Sequence, residues 1–148
     1  MLSTNDILKI LPHKHPYLLV DRITELHEGE RVVGLKAVSY AESVFAGHYP
    51  EDPVLPGALI VEASSQVAGF LVSSQENMIG YVVEIKQFQF KKQVTPGCLL
   101  QIEAQKKKAR GPFLEASIEV KAGDQLMACG TLQLFIRKNG DKPSNQNQ

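Results

Sequence analysis

The stretch from Pro56 to Gln75, PGALIVEASSQVAGFLVSSQ, constrains the fold of this chain most strongly. It carries small and apolar residues almost without a break and is too long for an ordinary strand. We therefore predict a helix of about five turns, roughly 30 Å long, with Pro56 in its first turn. A helix that is apolar nearly all round lies in a protein core or in a membrane. Glu62, Gln66 and the neighbouring serines disfavour a membrane span, so the rest of the chain must wrap this helix.

The second half of the chain can supply the wrapping, because four of its segments alternate apolar and polar residues with period two. In one of them, Leu114 and Ile118 point to one face while Glu115 and Glu119 point to the other. This pattern is typical of an antiparallel strand with one buried face. Turns containing Gly or Pro separate the four predicted strands. These strands are Tyr81–Phe90, Cys98–Ala104, Leu114–Val120 and Leu126–Ile136.

The first half begins with a short helix, for which Ser3 or Thr4 is the cap and Pro12 the stop. Two strands follow, Tyr17–Leu26 and Arg31–Val38, and the turn between them predicts a hairpin. The order of elements gives an α+β fold in which one curled antiparallel sheet surrounds one long helix.

The hot-dog fold is such a wrapped sheet, and we predict it as a single domain over residues 1–137. Residues 138–148 have no apolar side chain, so we expect a disordered tail.

The charge balance excludes one broad class of function. The chain has 16 Lys and Arg against 16 Asp and Glu, whereas nucleic-acid binding needs a basic excess or a large basic face.

The first residues lack the basic start and long apolar core of a signal peptide. Two cysteines, Cys98 and Cys129, are too few for a disulfide framework and suit a reducing compartment. We therefore expect a cytoplasmic protein.

The loop Ser39–Leu55 and the start of the helix carry the residues that could perform chemistry. His48 lies in a part of this loop braced by glycine and proline, and Glu62 lies in the second turn of the helix. Neutral imidazole is the usual general base near pH 7, and a carboxylic acid in apolar surroundings keeps its proton and can act as a general acid. At the helix start, Gly57 allows a carbonyl oxygen to approach backbone N–H groups that have no partner within the helix.

Alternatives to this catalytic interpretation exist for the histidine and for Gln66. A lone histidine in a loop is more often a turn or core residue. Glu62 weighs against that alternative, because a carboxylate in an apolar helix costs several kcal/mol unless it is paired or neutralised. Gln66 lies one turn after Glu62 on the same helix face, where its amide could orient the carboxylate. A capping or strand-bonding role for this amide is equally open.

Three motifs resemble, in order and spacing, those of the (3R)-hydroxyacyl-[acyl-carrier-protein] dehydratases of the FabZ type. They are LPHKHPYLLVDRI at Leu11–Ile23, GHYP around His48, and PVLPGALIVEASSQ after it. The resemblance extends from about Ile7 to Ile136. It implies that His48 is the catalytic histidine and Glu62 the catalytic glutamate of a hydro-lyase that converts a carrier-bound 3-hydroxyacyl thioester into a trans-2-enoyl thioester.

The same resemblance assigns further roles. The N–H of Gly57 would bind the thioester carbonyl, and the backbone carbonyl of Val54 would hold the histidine ring. We add Gln66 to these substrate-binding residues. Each site of the family pairs the histidine of one subunit with the glutamate of another, which implies a homodimer and, commonly, a hexamer of three dimers. Glutamate rather than aspartate at position 62 favours a plain dehydratase over the related dehydratase/isomerases.

The chain departs from the family pattern along the expected acyl tunnel and at one turn. Ser64 and Ser65 stand where most members have Met and Ala, the run Ile85–Gln93 differs from the usual one, and Cys98 replaces a common Asp. The acyl chain length therefore stays open, as does the choice between fatty-acid synthesis and a related lipid or polyketide pathway.

Four cations occur close together after the second of the predicted C-terminal strands. Such a run is usually a solvated strand end. With Lys91 and Lys92 expected nearby, it could instead bind the acidic surface of an acyl carrier protein. The four are Lys106, Lys107, Lys108 and Arg110.

No cofactor is expected, because the sequence has no Gly-rich phosphate loop and no metal-ligand pattern. His13 and His15 flank one lysine but lack a third ligand at a suitable spacing. Cys98 and Cys129 are expected to be small buried residues. Two other functions stay open, a hot-dog acyl thioesterase and a non-catalytic homologue that binds an acyl carrier protein.

Overall fold

The computed structural model describes residues 1–72 and 78–141. Its helices are α1 (Thr4–Ile10) and α2 (Gly57–Gly69), with a 3-10 helix at Ser43–Ala46 between them. Its strands are β1 (Arg22–His27), β2 (Arg31–Ala37), β3 (Met78–Phe90), β4 (Leu99–Arg110), β5 (Phe113–Ala122) and β6 (Gln125–Lys138). The six strands form one antiparallel sheet in the order β1-β2-β4-β5-β6-β3.

The helix α1 follows from its capping residues. The Ser3 side chain accepts a hydrogen bond from the backbone N–H of Asp6, and the Asp6 carboxylate accepts one from the backbone N–H of Ser3. This reciprocal pair satisfies two N–H groups that the first helical turn leaves free. The helix ends at Ile10 because Leu11, which precedes Pro12, is extended, as residues before proline usually are. The predicted helix and its cap at Ser3 are confirmed.

The strand β1 begins later than the predicted start at Tyr17. The backbone N–H groups of Tyr17 and Leu18 donate to the carbonyl of Lys14, at 2.8 and 3.0 Å, and thereby form a turn. The next amide, that of Leu19, donates to the side chain of Gln66 at 2.9 Å. These groups are therefore used by a turn and by the helix α2 instead of a neighbouring strand. The predicted hairpin of β1 and β2 is confirmed.

The helix α2 is shorter than predicted. It begins at Gly57, so Pro56 is the N-cap and not part of the first turn. It ends at Gly69, after which Phe70 and Leu71 donate to carbonyls three residues back, at 3.1 and 3.0 Å. This tighter pattern is a common way of ending a helix. The predicted extension of the helix is therefore wrong for Phe70–Val72. The remaining predicted helical residues, 73–75, lie outside the described part of the chain.

The curled sheet encloses α2, with β4 and β2 closest to it. Ala63 and Val67 of the helix are completely buried, as are Ile102 and Ala104 of β4. On β2, Gly34 allows the closest approach, because a methyl group at this position would lie 2.6 Å from Cγ2 of Val67. Real Cβ atoms do not come so close to a neighbour, so an unsubstituted Cα is needed where the helix crosses this strand.

The strand β5 confirms the predicted alternation with one exception. Leu114 and Ile118 are buried as expected, but Glu115, predicted to face solvent, is only 6% exposed. Its carboxylate lies 2.7 Å from Nζ of Lys86, 3.9 Å from that of Lys107 and 3.7 Å from that of Lys108. The hydrogen bond from Lys86 is the main cause that holds the pKa of Glu115 below its ordinary value. Long lysine side chains thus cover a carboxylate that they also neutralise.

The strand β3 is an edge of the sheet, paired on one side with β6. Several of its apolar side chains are exposed, among them Tyr81 at 44%, Val83 at 49% and Ile85 at 53%. Exposed apolar edges of this length are sites where another strand can pair.

The remaining strands differ from the prediction mainly in length. The predicted boundary of β4 at Ala104 is wrong, because the strand continues to Arg110 and carries the lysine run within it. The predicted tail begins too early, since Lys138 still belongs to β6 and a turn follows to Asp141. Residues 142–148 lie outside the described part.

Candidate active site

A short, well-braced loop positions His48. The backbone N–H of His48 donates to the carbonyl of Val44 in the 3-10 helix at 2.9 Å, and Nδ1 of its ring lies 2.6 Å from the carbonyl oxygen of Val54. A carbonyl only accepts hydrogen bonds, so Nδ1 carries the proton. In the neutral ring, Nε2 is then left with a lone pair and can take a proton from another molecule.

The 3-10 helix itself is tied to the sheet by an almost fully buried lysine. Nζ of Lys36 on β2 lies 3.1 Å from both carboxylate oxygens of Glu42, the residue that precedes the 3-10 helix. The same carboxylate accepts a hydrogen bond from the backbone N–H of Ser39 at 3.2 Å. The predicted ordered loop therefore contains a helical turn whose start is anchored by an ion pair.

Glu62 lies on α2 and contacts two side chains. Its Oε1 lies 2.9 Å from Nε2 of Gln66 and 3.5 Å from Nε2 of His13. The side chain is 23% exposed, so the carboxylate is partly accessible although it lies on a helix with a buried face. The helix is amphipathic enough at this point for the carboxylate to reach the surface of the protomer.

Gln66 bonds both to Glu62 and to the backbone of the segment before β1, which is neither a helix cap nor a strand. Its Oε1 accepts the backbone N–H of Leu19 at 2.9 Å, while its Nε2 donates at 2.9 Å to the carbonyl of Tyr17 and to Glu62. The side chain is only 2% exposed, and its amide connects the segment before β1 to the carboxylate. A buried amide with three partners fixes the geometry of everything it contacts.

Gly57 is the first residue of α2, beside a surface cavity of about 420 Å³. The ring of Phe90 lies over it, since a methyl group at Gly57 would come within 2.8 Å of Cζ. Lys91 and Lys92 line the same cavity and are exposed. The free N–H groups at the helix start are therefore close to a cavity whose rim is positively charged.

Within one protomer, His48 and Glu62 have different neighbours. The contacts described for the His48 side chain are with Val54 and the ring of Tyr49, whereas those of Glu62 are with His13 and Gln66. The hydrogen-bond and ring contacts of the two groups thus share no residue in the described part of the chain.

Comparisons with known proteins agree with the motifs. A family model described as a FabA-like domain matches residues 11–130. The chain belongs to the FabA-like family. One relative, "3-hydroxyacyl-[acyl-carrier-protein] dehydratase FabZ" of Geobacillus thermodenitrificans, is 46% identical over 98% of this chain and 100% of its own. A relative of the same name from Caldanaerobacter subterraneus is 43% identical over 91% of this chain and 98% of its own. The predicted resemblance to FabZ-type dehydratases is confirmed.

The fold of this FabA-like chain also has solved counterparts. The structure described as "The Dehydratase Heterocomplex ApeI:P from Xenorhabdus doucetiae" superposes with a TM-score of 0.77 over 93% of each chain, at 18% identity. An uncharacterised protein from Pyrococcus horikoshii superposes with a TM-score of 0.65. The predicted α+β hot-dog fold is confirmed.

The FabA-like site includes one contact that the sequence did not indicate, that of His13 with Glu62. The two residues are far apart in the chain, and the sequence gives no periodicity that would join them. No group of three or more His, Cys, Asp or Glu side chains that could hold a metal ion occurs in the described residues. No helix in the same residues is long and apolar enough to cross a membrane.

The serines that depart from the family pattern bond within α2. The Ser64 hydroxyl donates to the carbonyl of Ile60 at 2.7 Å, and the Ser65 hydroxyl donates to the carbonyl of Glu62 at 2.9 Å.

Cys98 and Cys129 are free thiols and are half-buried, not buried as expected.

The two groups of cations in this FabA-like chain are far apart. Phe90 of β3 pairs with Ala128 of β6, which pairs with Val120 of β5, and Val120 pairs with Ile102 of β4. Ile102 lies six residues before Lys108 on the same strand. Six residues span about 20 Å along a strand. The expected proximity of Lys91 to Lys107 is therefore wrong, and only Lys91 and its neighbour Lys92 line the Gly57 cavity.

Proposed function

We propose that the chain removes water from (3R)-hydroxyacyl thioesters of an acyl carrier protein and yields trans-2-enoyl thioesters. The predicted class, a hydro-lyase of fatty-acid biosynthesis, agrees with the names of relatives that match nearly the whole chain. The observation that carries the proposal is the contact of His48 Nδ1 with the Val54 carbonyl, because it leaves Nε2 as a base.

The reaction then needs one base and one acid. Nε2 of His48 takes the proton from C2, and the electron pair of that C–H bond forms the C2=C3 double bond. The C3–O bond breaks while the carboxylic acid of Glu62 gives its proton to the departing hydroxyl, which leaves as water. His48 ends protonated and Glu62 ionised, and transfer of one proton from His48 to Glu62 through solvent restores both groups.

The start of α2 supplies the third element. The N–H of Gly57 and the positive end of the helix dipole polarise the thioester carbonyl and make the C2 proton more acidic. Gln66 contributes by fixing the carboxylate, and Val54 by fixing the imidazole ring.

Two protomers form the complete site in this proposal. The side chains of His48 and Glu62 share no described contact within one chain, and the apolar edge of β3 is open for pairing with a second copy. We therefore propose a homodimer in which the histidine of one protomer works with the glutamate of its partner. A trimer of such dimers is the next level of assembly, and a cytoplasmic location completes the proposal.

The acyl carrier protein is the proposed partner, and the rim of the Gly57 cavity is its docking position. Lys91 and Lys92 lie there, whereas Lys107 and Lys108 neutralise Glu115 at another place on the sheet. An acidic carrier bound at Lys91 and Lys92 would present its thioester to the cavity beside Gly57.

A mass-spectrometric assay of water loss from carrier-bound 3-hydroxyacyl substrates of graded length tests the function. The wild-type chain should lose water, while Glu62→Gln and His48→Ala should each abolish turnover and leave the oligomer intact. Turnover retained by either variant contradicts the assignment. Release of free thiol would indicate a thioesterase, and firm carrier binding without any turnover would indicate a non-catalytic binding protein.

A further inference from the structure

Two nitrogen atoms converge on the same oxygen of Glu62. Nε2 of Gln66 lies 2.9 Å from Oε1, and Nε2 of His13 lies 3.5 Å from Oε1. The hydrogen bond from Gln66 goes to Oε1 and distinguishes it from Oε2, although the two oxygens are chemically equivalent in a free carboxylate.

The orientation of the Gln66 amide is fixed by the backbone. Its Oε1 accepts the N–H of Leu19, so its nitrogen must point towards the carbonyl of Tyr17 and towards Glu62. One N–H goes to each of these oxygens. The amide nitrogen only donates, so Oε1 of Glu62 accepts at this contact. Because the carbonyl oxygen of a carboxylic acid is a better acceptor than its hydroxyl oxygen, the contact favours Oε2 as the position of a proton on Glu62.

The tautomer of His13 follows from the surroundings of its other nitrogen. Nδ1 is buried and has no hydrogen-bond partner within the described residues. A buried N–H without a partner is rarer and costlier than an unused acceptor. The proton of the neutral ring is therefore on Nε2, where it points to Glu62 as a second donor. At 3.5 Å the contact is longer than a hydrogen bond, as catalytic contacts often are before substrate binds.

We infer that His13 is a positioning residue of the dehydration reaction. Together with Gln66, it holds Oε1 of Glu62 and thereby presents Oε2, with its proton, to the departing 3-hydroxyl group. The inference rests on the proposed function for its catalytic meaning. Rotation of the carboxyl group would otherwise exchange the two oxygens and turn the acidic proton away from the substrate.

A pair of substitutions separates this role from a structural one. His13→Phe keeps a ring but has no donor, whereas His13→Gln places an amide nitrogen where Nε2 of the imidazole was. We expect His13→Phe to lower kcat for dehydration about 10- to 100-fold with little change in KM, because the acid is misplaced only at the chemical step. His13→Gln should restore kcat to within about threefold of the wild-type value, since it supplies the donor again.

Circular dichroism and gel filtration establish that both variants fold and assemble. If His13→Phe does not fold, His13→Met, which also lacks a donor, takes its place. A kcat within about twofold of wild type in the donor-free variant overturns the inference, because a donor that orients the acid must affect the rate. An equal loss of kcat in His13→Gln overturns it as well, since this indicates a packing role.

Crystal structures of the wild type and the donor-free variant decide the same question without turnover. The Glu62 carboxyl group should rotate in the variant, and a 3-hydroxyacyl analogue bound to the wild type should place its hydroxyl next to Oε2. An unrotated carboxyl group, or a hydroxyl next to Oε1, overturns the inference. A wild-type chain that fails to release water refutes the proposed function, while the two crystal structures still test the placement of Glu62.

Discussion

The Nδ1 atom of His48 lies 2.6 Å from the carbonyl oxygen of Val54, six residues later in the same loop. This contact selects one tautomer of the ring and one direction for its second nitrogen. It also separates two properties of His48 that substitution can test independently, namely its bond to the loop and its basicity.

His48→Asn should keep the fold and lose the reaction. An asparagine amide can donate to the Val54 carbonyl from nearly the position of Nδ1, but it has no basic nitrogen. We expect kcat for dehydration to fall by about 10² to 10⁴, the usual contribution of a general base, with an unchanged melting temperature. His27→Asn on β1 is the matched control and should be as active as wild type. Substantial turnover by His48→Asn would show that another group removes the proton.

Gly57→Ala should impair substrate binding to the helix start more than folding. The new methyl group would lie 2.8 Å from Cζ of Phe90, whose half-exposed ring can move aside at small cost. The methyl group then stands between the cavity and the backbone N–H, and we expect a loss of about 10² in kcat/KM. Phe90→Leu is the control and should retain most activity. If Gly57→Ala combined with Phe90→Leu regains full activity, the ring and not the N–H accounts for the loss.

Gln66→Leu should destabilise the protein as well as slow it. The substitution leaves the buried N–H of Leu19 without its partner, whereas the carbonyl of Tyr17, an exposed residue, can bond to water. The free energy of unfolding measured in urea should fall by about 1 to 3 kcal/mol, the usual cost of one buried polar group that loses its partner. Gln105→Leu, at an exposed position of β4, should change stability far less. Equal stability of the two variants would mean that water replaces the lost bonds.

The buried carboxylate of Glu115 should make stability depend on pH. Its pKa is held below the ordinary value of 4.5 by Lys86 and the neighbouring lysines, so its contribution is complete above that pH and is lost as pH falls through the native value. The difference in urea midpoint between wild type and Glu115→Gln should therefore be largest at neutral pH and shrink below about pH 4.5.

Glu119→Gln is the control for this measurement, because Glu119 is exposed on the same strand and pairs with Lys121 at 3.0 Å. The urea midpoint of Glu119→Gln should differ little from that of the wild type at every pH. A Glu115→Gln difference that is the same at neutral and acidic pH would contradict the charge-based explanation.

Charge reversal at Lys91 and Lys92 should distinguish carrier-bound from free substrates. The double variant should raise KM for an acyl-carrier substrate about tenfold or more and leave small thioester mimics nearly unaffected, because only the carrier is acidic. The matched control reverses Lys106 and Arg110, which are exposed on β4 far from the cavity. A similar effect of both pairs, or an equal effect on both substrates, would exclude a docking role for the cavity rim.

Local patterns predicted most of the elements of this fold. The turns predicted between the four C-terminal strands contain glycines with positive φ, namely Gly97, Gly111 and Gly123. The errors occur where a distant part of the chain decides the outcome. Tyr17–Val20 resembles a strand by composition, but Gln66, far along the chain, takes one of its backbone amides.

The candidate site residues could be proposed from the sequence, whereas their contacts could not. His48, Glu62 and Gln66 stand out because polar residues near or within an apolar helix need a reason. The burial of Glu115 could not be seen, since three lysines from two other strands cover it. The contact of His13 with Glu62 depends on how the segment before β1 crosses α2, which no local pattern encodes.

The glycine at position 34 limits which substitutions this protein can accept during evolution. The helix crosses β2 at van der Waals distance there, and a single added methyl group would meet Val67 at 2.6 Å. Because α2 is rigid, a displacement at Val67 also moves Glu62 and Gln66 on the same helix. We therefore expect selection to act against side chains at position 34, because they would disturb Glu62 and Gln66 through the helix.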